Sequence, residues 1–304
     1  MKLPSHVEPE QLRLFRSVAS AGSFSRAATL VGSTQSSVSK RILALEAALD
    51  CSLFERTGRG ARLTDAGRVL LPRAEALVDE VDRLADVVAS DARQPRGQVR
   101  FAVQQSVSWP LVGDVHRRAV RELPQVRLEV SEAPMTQIDA WLRAGRVDFA
   151  ILSRLPRDDA GGEPLFSRTM HLVAPRGDRM TRAPTIAFSR LAALPMIAAS
   201  LSNAGRLLIE EEARRRRWQP RVVLEIDSIH LVKRLVATGA GYWIASKRAI
   251  AAEVDAGVLS ASRIVRPLIR QRFYLAVAGN GEPTSAVRAL IDIVRDVARG
   301  EGEA

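Results

Sequence analysis

A single cysteine, Cys51, in 304 residues excludes an internal disulfide, and its place near the end of a predicted helix makes core packing its expected role. No stretch approaches the ~18 consecutive apolar residues that cross a bilayer. The opening MKLPSHVEPEQLRLF also lacks the apolar centre of a secretory signal, so the cytoplasm is the expected compartment and a membrane is not an expected partner. The histidines His6, His116, His171 and His230 show no metal-ligand spacing, and neither a Gly-x-Ser-x-Gly elbow nor a Walker loop occurs. Gly239-Ala-Gly241 precedes a strand pattern rather than a helix, which fails the context a dinucleotide loop requires. Asp158-Asp159 reads as a surface turn with no partner acid nearby. No acid, base, nucleophile or metal ligands converge, so neither an enzyme nor a cofactor is expected.

What is present is a hydrophobic fraction of 46% and a charged fraction of 26%, the balance of a folded globular chain. The length suits two domains, each able to close its own core. A formal charge of +11 fits a polyanionic partner, a membrane surface or an arginine-rich genome. Nucleic acid requires a recognisable reading element with basic residues around it, and one follows.

Residues 9–92 are helical in pattern, whereas residues 98–280 alternate short apolar runs with amphipathic helices. The break falls at Arg93-Gln94-Pro95-Arg96-Gly97, where proline disfavours helix and glycine admits a turn. The expected divisions are a DNA-binding domain at 1–63, a linker helix at 64–92, a hinge at 93–97 and an α/β domain at 98–304. The linker helix starts near Thr64-Asp65 and carries Val69, Leu70, Ala74, Leu77, Val81, Leu84, Val87 and Val88 at helical spacing. Such a stripe needs a partner, and pairing of two copies is the economical reading.

Residues 9–21 predict an amphipathic helix stopped by Gly22, and Ser23 caps a short second helix over 24–31. Gly32-Ser33-Thr34 forms the turn into a third helix, 35–49. Its first turns place Ser33, Thr34, Gln35, Ser36, Ser37, Ser39 and Lys40, with Arg41 beside them, where a recognition helix meets duplex DNA, while Val38, Ile42, Leu45 and Leu49 face inward. The segment 55–62, ERTGRGAR, predicts a basic hairpin whose Arg56, Arg59 or Arg62 meets phosphates or the minor groove. Residues 1–62 hold nine Lys or Arg against five Asp or Glu, so this end is only moderately basic.

The pattern Leu12, Phe15, Val18-Ala19, Gly22-Ser23-Phe24-Ser25, Ala27-Ala28, Gln35, Val38-Ser39, Ile42, Leu45-Glu46, Leu49, Leu53-Phe54, Arg56, Leu63-Thr64 and Ala66-Gly67 resembles the LysR-type transcriptional regulators. Val31, Thr34, Ser36 and Asp50 stand where that family usually has leucine, serine, proline and glycine. The resemblance implies a winged helix-turn-helix, a long dimerising linker helix and an α/β effector domain of two Rossmann-like subdomains similar to periplasmic binding proteins. It implies as partners double-stranded DNA carrying an inverted-repeat operator, a small-molecule effector, further copies of the chain in a dimer or a tetramer, and RNA polymerase.

In the second half, strand patterns at 99–103, 126–130, 147–152, 171–174, 196–198, 222–226, 242–245 and 273–277 alternate with helical ones at 111–123, 136–144, 206–218 and 229–237. This alternation predicts parallel sheets, which bind ligands at the carboxyl ends of their strands. The expected subdomains are 98–173 with 267–304, and 174–266. The strand-to-helix turns 104–109, 199–206 and 227–230 offer hydroxyls and backbone donors. By resemblance to the LysR-type effector domain these turns face one another across a cleft, which implies Ser106, Ser200, Ser202 and Asn203 as ligand contacts, with Met135, Arg206, Ser228 and His230 as further ones. Donor-rich helix starts and Arg206 point to an anionic ligand, a small carboxylate. The run 210–217, EEEARRRR, places each glutamate four residues before an arginine and reads as a solvated helix face. Trp109 and Trp141 are expected in the core.

Overall fold

The structure is a computed structural model that describes residues 7–57, 60–89, 94–154, 162–279 and 282–301, with all side chains in these ranges except those of 56, 57 and 82–89. The chain divides into two compact units, the first built from the segment before residue 91 and the second from nearly all of the segment after it.

The first unit opens with α1 (Pro9–Ala21), begun by a capping box between Glu8 and Gln11 and stopped by Gly22 in the left-handed region at φ 61°. Ser23 caps α2 (Phe24–Leu30), and Thr34 caps α3 (Gln35–Leu49) by accepting from the Ser37 N–H at 3.2 Å. A hairpin of β1 (Phe54–Thr57) and β2 (Gly60–Leu63) follows, in register from Phe54↔Leu63 to Thr57↔Gly60. The long α4 (Asp65–Ala89) closes the unit. Leu12, Phe15, Val18, Ala27, Val38, Ile42, Leu45 and Leu53 make one buried core, with Phe54 ringed by Phe15 and Phe24 at centroid distances of 5.3 and 5.5 Å. Gly67 lets α4 approach: a Cβ there would stand 2.3 Å from the Leu53 carbonyl oxygen.

The predicted linker stripe needs a correction. Ala74 and Val78 are buried in this core, and Val78 was not in the stripe, whereas Val69 and Leu77 are 65% and 57% exposed. The helix therefore has two apolar sides, one used within the unit. Leu84, Val87, Val88, Arg93 of the predicted hinge and the Asp158-Asp159 turn lie outside the described side chains or residues.

The second unit runs β3 (Gly97–Val103), α5 (Gln105–Glu122), β4 (Val126–Glu132), α6 (Met135–Arg143), β5 (Phe149–Ser153), β6 (Glu163–Pro175), β7 (Thr185–Ala187), β8 (Pro195–Ala198), α7 (Ala204–Arg215), β9 (Arg221–Glu225), α8 (Ile229–Ala237), β10 (Trp243–Ser246), α9 (Ala251–Asp255), β11 (Leu259–Val265), β12 (Arg270–Val277) and α10 (Ser285–Arg299). The main sheet has the order β4-β3-β5-β12-β6-β11-β7, with β10 also paired to β6, and β8 pairs with β9 beside it. Strand β6 belongs to two lobes: up to Thr169 it pairs with β12, and from Met170 onward with β10 and β11. The chain returns to the first lobe between β11 and β12, where the Met170 N–H donates to the Ile269 carbonyl at 2.9 Å.

The expectation of parallel sheets is thus corrected to a mixed sheet. Strand β3 is parallel to β4 and β5, but β12 is antiparallel to both β5 and β6, and β10 and β11 are antiparallel to β6. An apolar run buried on both faces reads alike in either direction, so the sequence pattern does not carry strand polarity. Strands β7 and β11 and helices α9 and α10 also escaped the reading of the sequence. Helix α10 packs Leu290, Ile291 and Val294 with Val107, Leu111 and Val115 of α5 on one face of the sheet. It is tied to β6 by Arg295, whose guanidinium holds the Glu163 carboxyl below its ordinary range through a 2.6 Å bond. Trp109 is 73% exposed at a non-helical residue inside α5, not in the core as expected, because Pro110 interrupts the helix there. Trp141 does pack against the core between α6 and the sheet.

Candidate nucleic-acid interface and ligand cleft

Helix α3 is divided lengthwise. Val38, Ile42 and Leu45 are at most 1% exposed, while Ser33, Thr34, Gln35, Ser36, Lys40 and Arg41 are exposed and Ser39 is half-buried. The inner residues recur at helical spacing, so packing them fixes which way the outer ones point. The outward first turn also presents the positive end of the helix dipole. Arg41 lies 3.9 Å from Glu10, a loose surface pair that leaves its charge available.

Two contacts outside the predicted site set its shape. The Glu46 carboxylate accepts from the Leu53 and Phe54 N–H groups at 2.6 and 3.1 Å, which ties the end of α3 to the start of the hairpin. The hairpin is in turn pinned to the end of α1, where the Ala61 N–H donates to the Gly22 carbonyl at 2.9 Å. Gly60 is required there, since a Cβ would stand 2.3 Å from the Gly22 oxygen. In the hairpin Arg62 is exposed, whereas the Arg56 side chain and Arg59 lie outside what the structure describes.

In the second unit a cleft of about 320 Å³ opens between the lobes. One wall is the turn after β3, with Gln104, Gln105 and Ser106, and the turn after β4, with Glu132, Ala133, Pro134 and Met135. Ser202, Asn203, Asp227 and Ser228 form the other. The structure therefore brings together Ser106, Met135, Ser202, Asn203 and Ser228 of the predicted contacts. Ser200 stands behind, with its Oγ 2.7 Å from that of Ser202 and its N–H donating to Asp227 Oδ1 at 2.9 Å. Arg206 lies deeper and pairs with Glu210, which is why Glu210 does not take up Arg214 as the charge pattern suggested. Glu211 and Glu212 do pair with Arg215 and Arg216 four residues on. His230 is exposed and lines no part of the cleft.

Several cleft residues also serve their own helices. Asn203 Oδ1 accepts from the Gly205 and Arg206 N–H groups at 2.9 and 3.2 Å, and Ser228 Oγ accepts from Leu231 at 3.4 Å. Beneath the first wall, Gln104 Oε1 accepts from the Ser153 hydroxyl at 2.8 Å, and that hydroxyl accepts from Gln271 Nε2 at 2.9 Å. All three are buried, so the turn after β3 rests on a hydrogen-bonded polar floor. The Ser106 carbonyl accepts from Arg168 at 3.1 Å, and Arg168 also pairs with Glu301, both of them almost wholly buried. Ser153, Arg168 and Gln271 sit far in sequence from the groups they bond, and no local pattern marks them. Among the described residues no group of His, Cys, Asp and Glu could hold a metal, and no helix is long and apolar enough to cross a membrane.

A helix with one face packed and one polar face exposed, carried in the same chain as a two-lobed α/β fold with a cleft, defines the ligand-responsive class of DNA-binding proteins. Residues 9–68 match the model of the bacterial regulatory helix-turn-helix protein, lysR family, and residues 92–299 that of the LysR substrate binding domain. The chain belongs to the LysR family of transcriptional regulators, which are not enzymes. It is a sequence-specific DNA-binding regulator with an effector-binding domain. It is 28% identical over 288 residues to the uncharacterized HTH-type transcriptional regulator YfeR of Shigella flexneri, covering 94% of this chain and 93% of that one. It is 24% identical over 290 residues to the nitrogen assimilation regulatory protein nac of Klebsiella aerogenes, covering 93% of each. Full-length CbnR complexed with its target DNA shares the fold, with a TM-score of 0.72 at 18% identity over 96% of this chain and all of that one.

Proposed function

We propose that α3 enters the major groove with Gln35, Ser36 and Ser39 toward base edges and Ser33, Thr34, Lys40 and Arg41 toward the flanking backbone, and that Arg56, Arg59 and Arg62 of the hairpin reach phosphates or the minor groove. The observation that carries this reading is the clean division of α3, whose polar first turns are all on the side away from the core. Two such helices, paired through α4, read an inverted repeat. Exposed Val69 and Leu77, about two turns apart, support that pairing, which would remove both from water. We assign residues 1–63 to DNA binding, 64–92 to dimerisation, 93–97 to the hinge and 98–304 to the effector. The working form is a tetramer in the cytoplasm, acting on RNA polymerase at the promoter.

The effector is a small monocarboxylate held by Ser106, Ser202 and the N-terminal ends of the helices that start at the cleft, with Met135, Asn203 and Ser228 around it. Ser200, Arg206 and His230 act from behind or beside it. Glu132 and Asp227 on the cleft walls oppose a multiply charged anion, which limits the guest to one negative charge.

Gel shifts on operator and scrambled duplexes test the DNA reading. Gln35→Ala lowers affinity for the operator by about tenfold and leaves scrambled DNA unchanged, whereas Arg59→Ala weakens both alike. Equal losses on both duplexes in both variants would remove α3 from the groove.

A further inference from the structure

The cleft is not a closed box. At Ser106 and Asn203 it adjoins a second space, about 100 Å³, that runs into the second lobe between α7, α8, β8 and β10. Its walls are apolar, from Met196, Ile209, Ile226 and Ile244. Two features set it apart from an ordinary packing gap. Arg206 Nη1 and Trp218 Nε1 both belong to residues that line it, and both atoms are buried with no hydrogen-bond partner. Buried donors are normally satisfied, and leaving them unpaired is costly. Arg206 spends its Nε and Nη2 on Glu210, so the bare Nη1 is what remains of a side chain otherwise fixed in place. The space is somewhat smaller than cavities that hold a benzene ring, and its opening toward the cleft adds room.

We propose that this compartment is the specificity pocket of the effector site. It takes the hydrocarbon body of a monocarboxylate, of the size of one six-membered ring, bearing an uncharged oxygen that accepts from Arg206 Nη1 or Trp218 Nε1. The inference rests on the placement of the carboxylate in the cleft given above. Its chemistry is that of a hydroxy- or keto-substituted ring acid: the cleft supplies donors for the charged end, the apolar walls exclude water from the ring, and the inner donors recognise the second oxygen. Rejection of compounds lacking that oxygen follows, because their binding would leave the buried donors unpaired.

The test is isothermal titration of the full-length chain with 3-hydroxybenzoate, 4-hydroxybenzoate, benzoate and acetate, repeated on Trp218→Phe, Arg206→Met and Ser202→Ala. One hydroxybenzoate is expected to bind at least tenfold tighter than benzoate, and benzoate tighter than acetate. Trp218→Phe keeps the ring and removes the donor; it or Arg206→Met is expected to erase the preference for the hydroxyl. Ser202→Ala is expected to weaken all the acids together. Acetate binding as tightly as the ring acids, or a hydroxyl preference that is absent or stays unchanged in both Trp218→Phe and Arg206→Met, overturns the compartment while the cleft reading stands. Failure of every acid to bind to protein that still shifts DNA overturns the carboxylate reading and this one with it.

Discussion

On α3, apart from the cap at Thr34 and the Ser36 hydroxyl bonded to it, packing and outward display fall on different residues: Val38, Ile42 and Leu45 hold the helix, and Gln35 and Lys40 are left free of structural work. At the cleft the same side chains do both, since Asn203 and Ser228 each cap the helix they begin while lining the site. The difference teaches how each surface tolerates change. Residues that only point outward can be exchanged to alter recognition without unfolding the helix, whereas a change at the cleft alters the wall itself.

Four substitutions sharpen or break this contrast. The largest effect is expected of Gly67→Val, whose side chain would collide with the Leu53 carbonyl and lift α4 from the core. It should cost about 3 kcal/mol in thermal unfolding and abolish gel shifts, with acid titrations of the second unit unchanged. A loss of acid binding as well would show that the two units do not fail separately. Next comes Glu46→Ala, which strips the acceptor from the Leu53 and Phe54 N–H groups and should cost about 2 kcal/mol, with Glu46→Gln recovering part of it. No loss of stability in Glu46→Ala would mean those N–H groups find water.

Asn203→Ala is expected to lower stability by about 1 kcal/mol through loss of the cap and to weaken acid binding in the same variant. Weakened stability with intact binding would make Asn203 a purely structural residue and bring the cleft closer to the plan of α3. The smallest effect is a gain. Asp50 ends α3 in the left-handed region at φ 52° and ψ 37°, where an L side chain is strained, so Asp50→Gly should add roughly 0.5–1 kcal/mol in denaturant titration and leave operator affinity unchanged.

The reading of the sequence succeeded where one contiguous segment carries both packing and chemistry. The helices from Pro9 to Leu49, the cap at Ser23 and the wing hairpin follow from local spacing, whereas spacing allowed either Ser33 or Thr34 as the cap of α3; the departure at Asp50 could be seen against the family pattern. In the second unit the helix-starting turns were visible, but strand direction was not, because neither the fully buried run of β5 nor the alternating pattern of β12 changes with the direction in which the strand runs. The supports of the cleft were harder still. Gln271 reaches Ser153 across 118 positions, and Arg168 reaches Glu301 across 133, distances over which composition and periodicity are silent. Trp109 misled because exposure there follows from a break in α5 that Pro110 introduces, not from the character of tryptophan.

The passage of the chain between lobes has a mechanical consequence. It crosses twice, along β6 at Thr169 and Met170 and back before β12, and the two crossings lie side by side, Thr169 paired with Arg270 and Met170 bonded to Ile269. A two-stranded ribbon of this kind flexes across its flat face but resists sliding of one strand past the other, so the lobes are left one easy direction of relative rotation. Ser106 sits a single hydrogen bond from that ribbon, through Arg168. A guest that tugs on the turn after β3 therefore pulls directly on the flexure about which the cleft would shut.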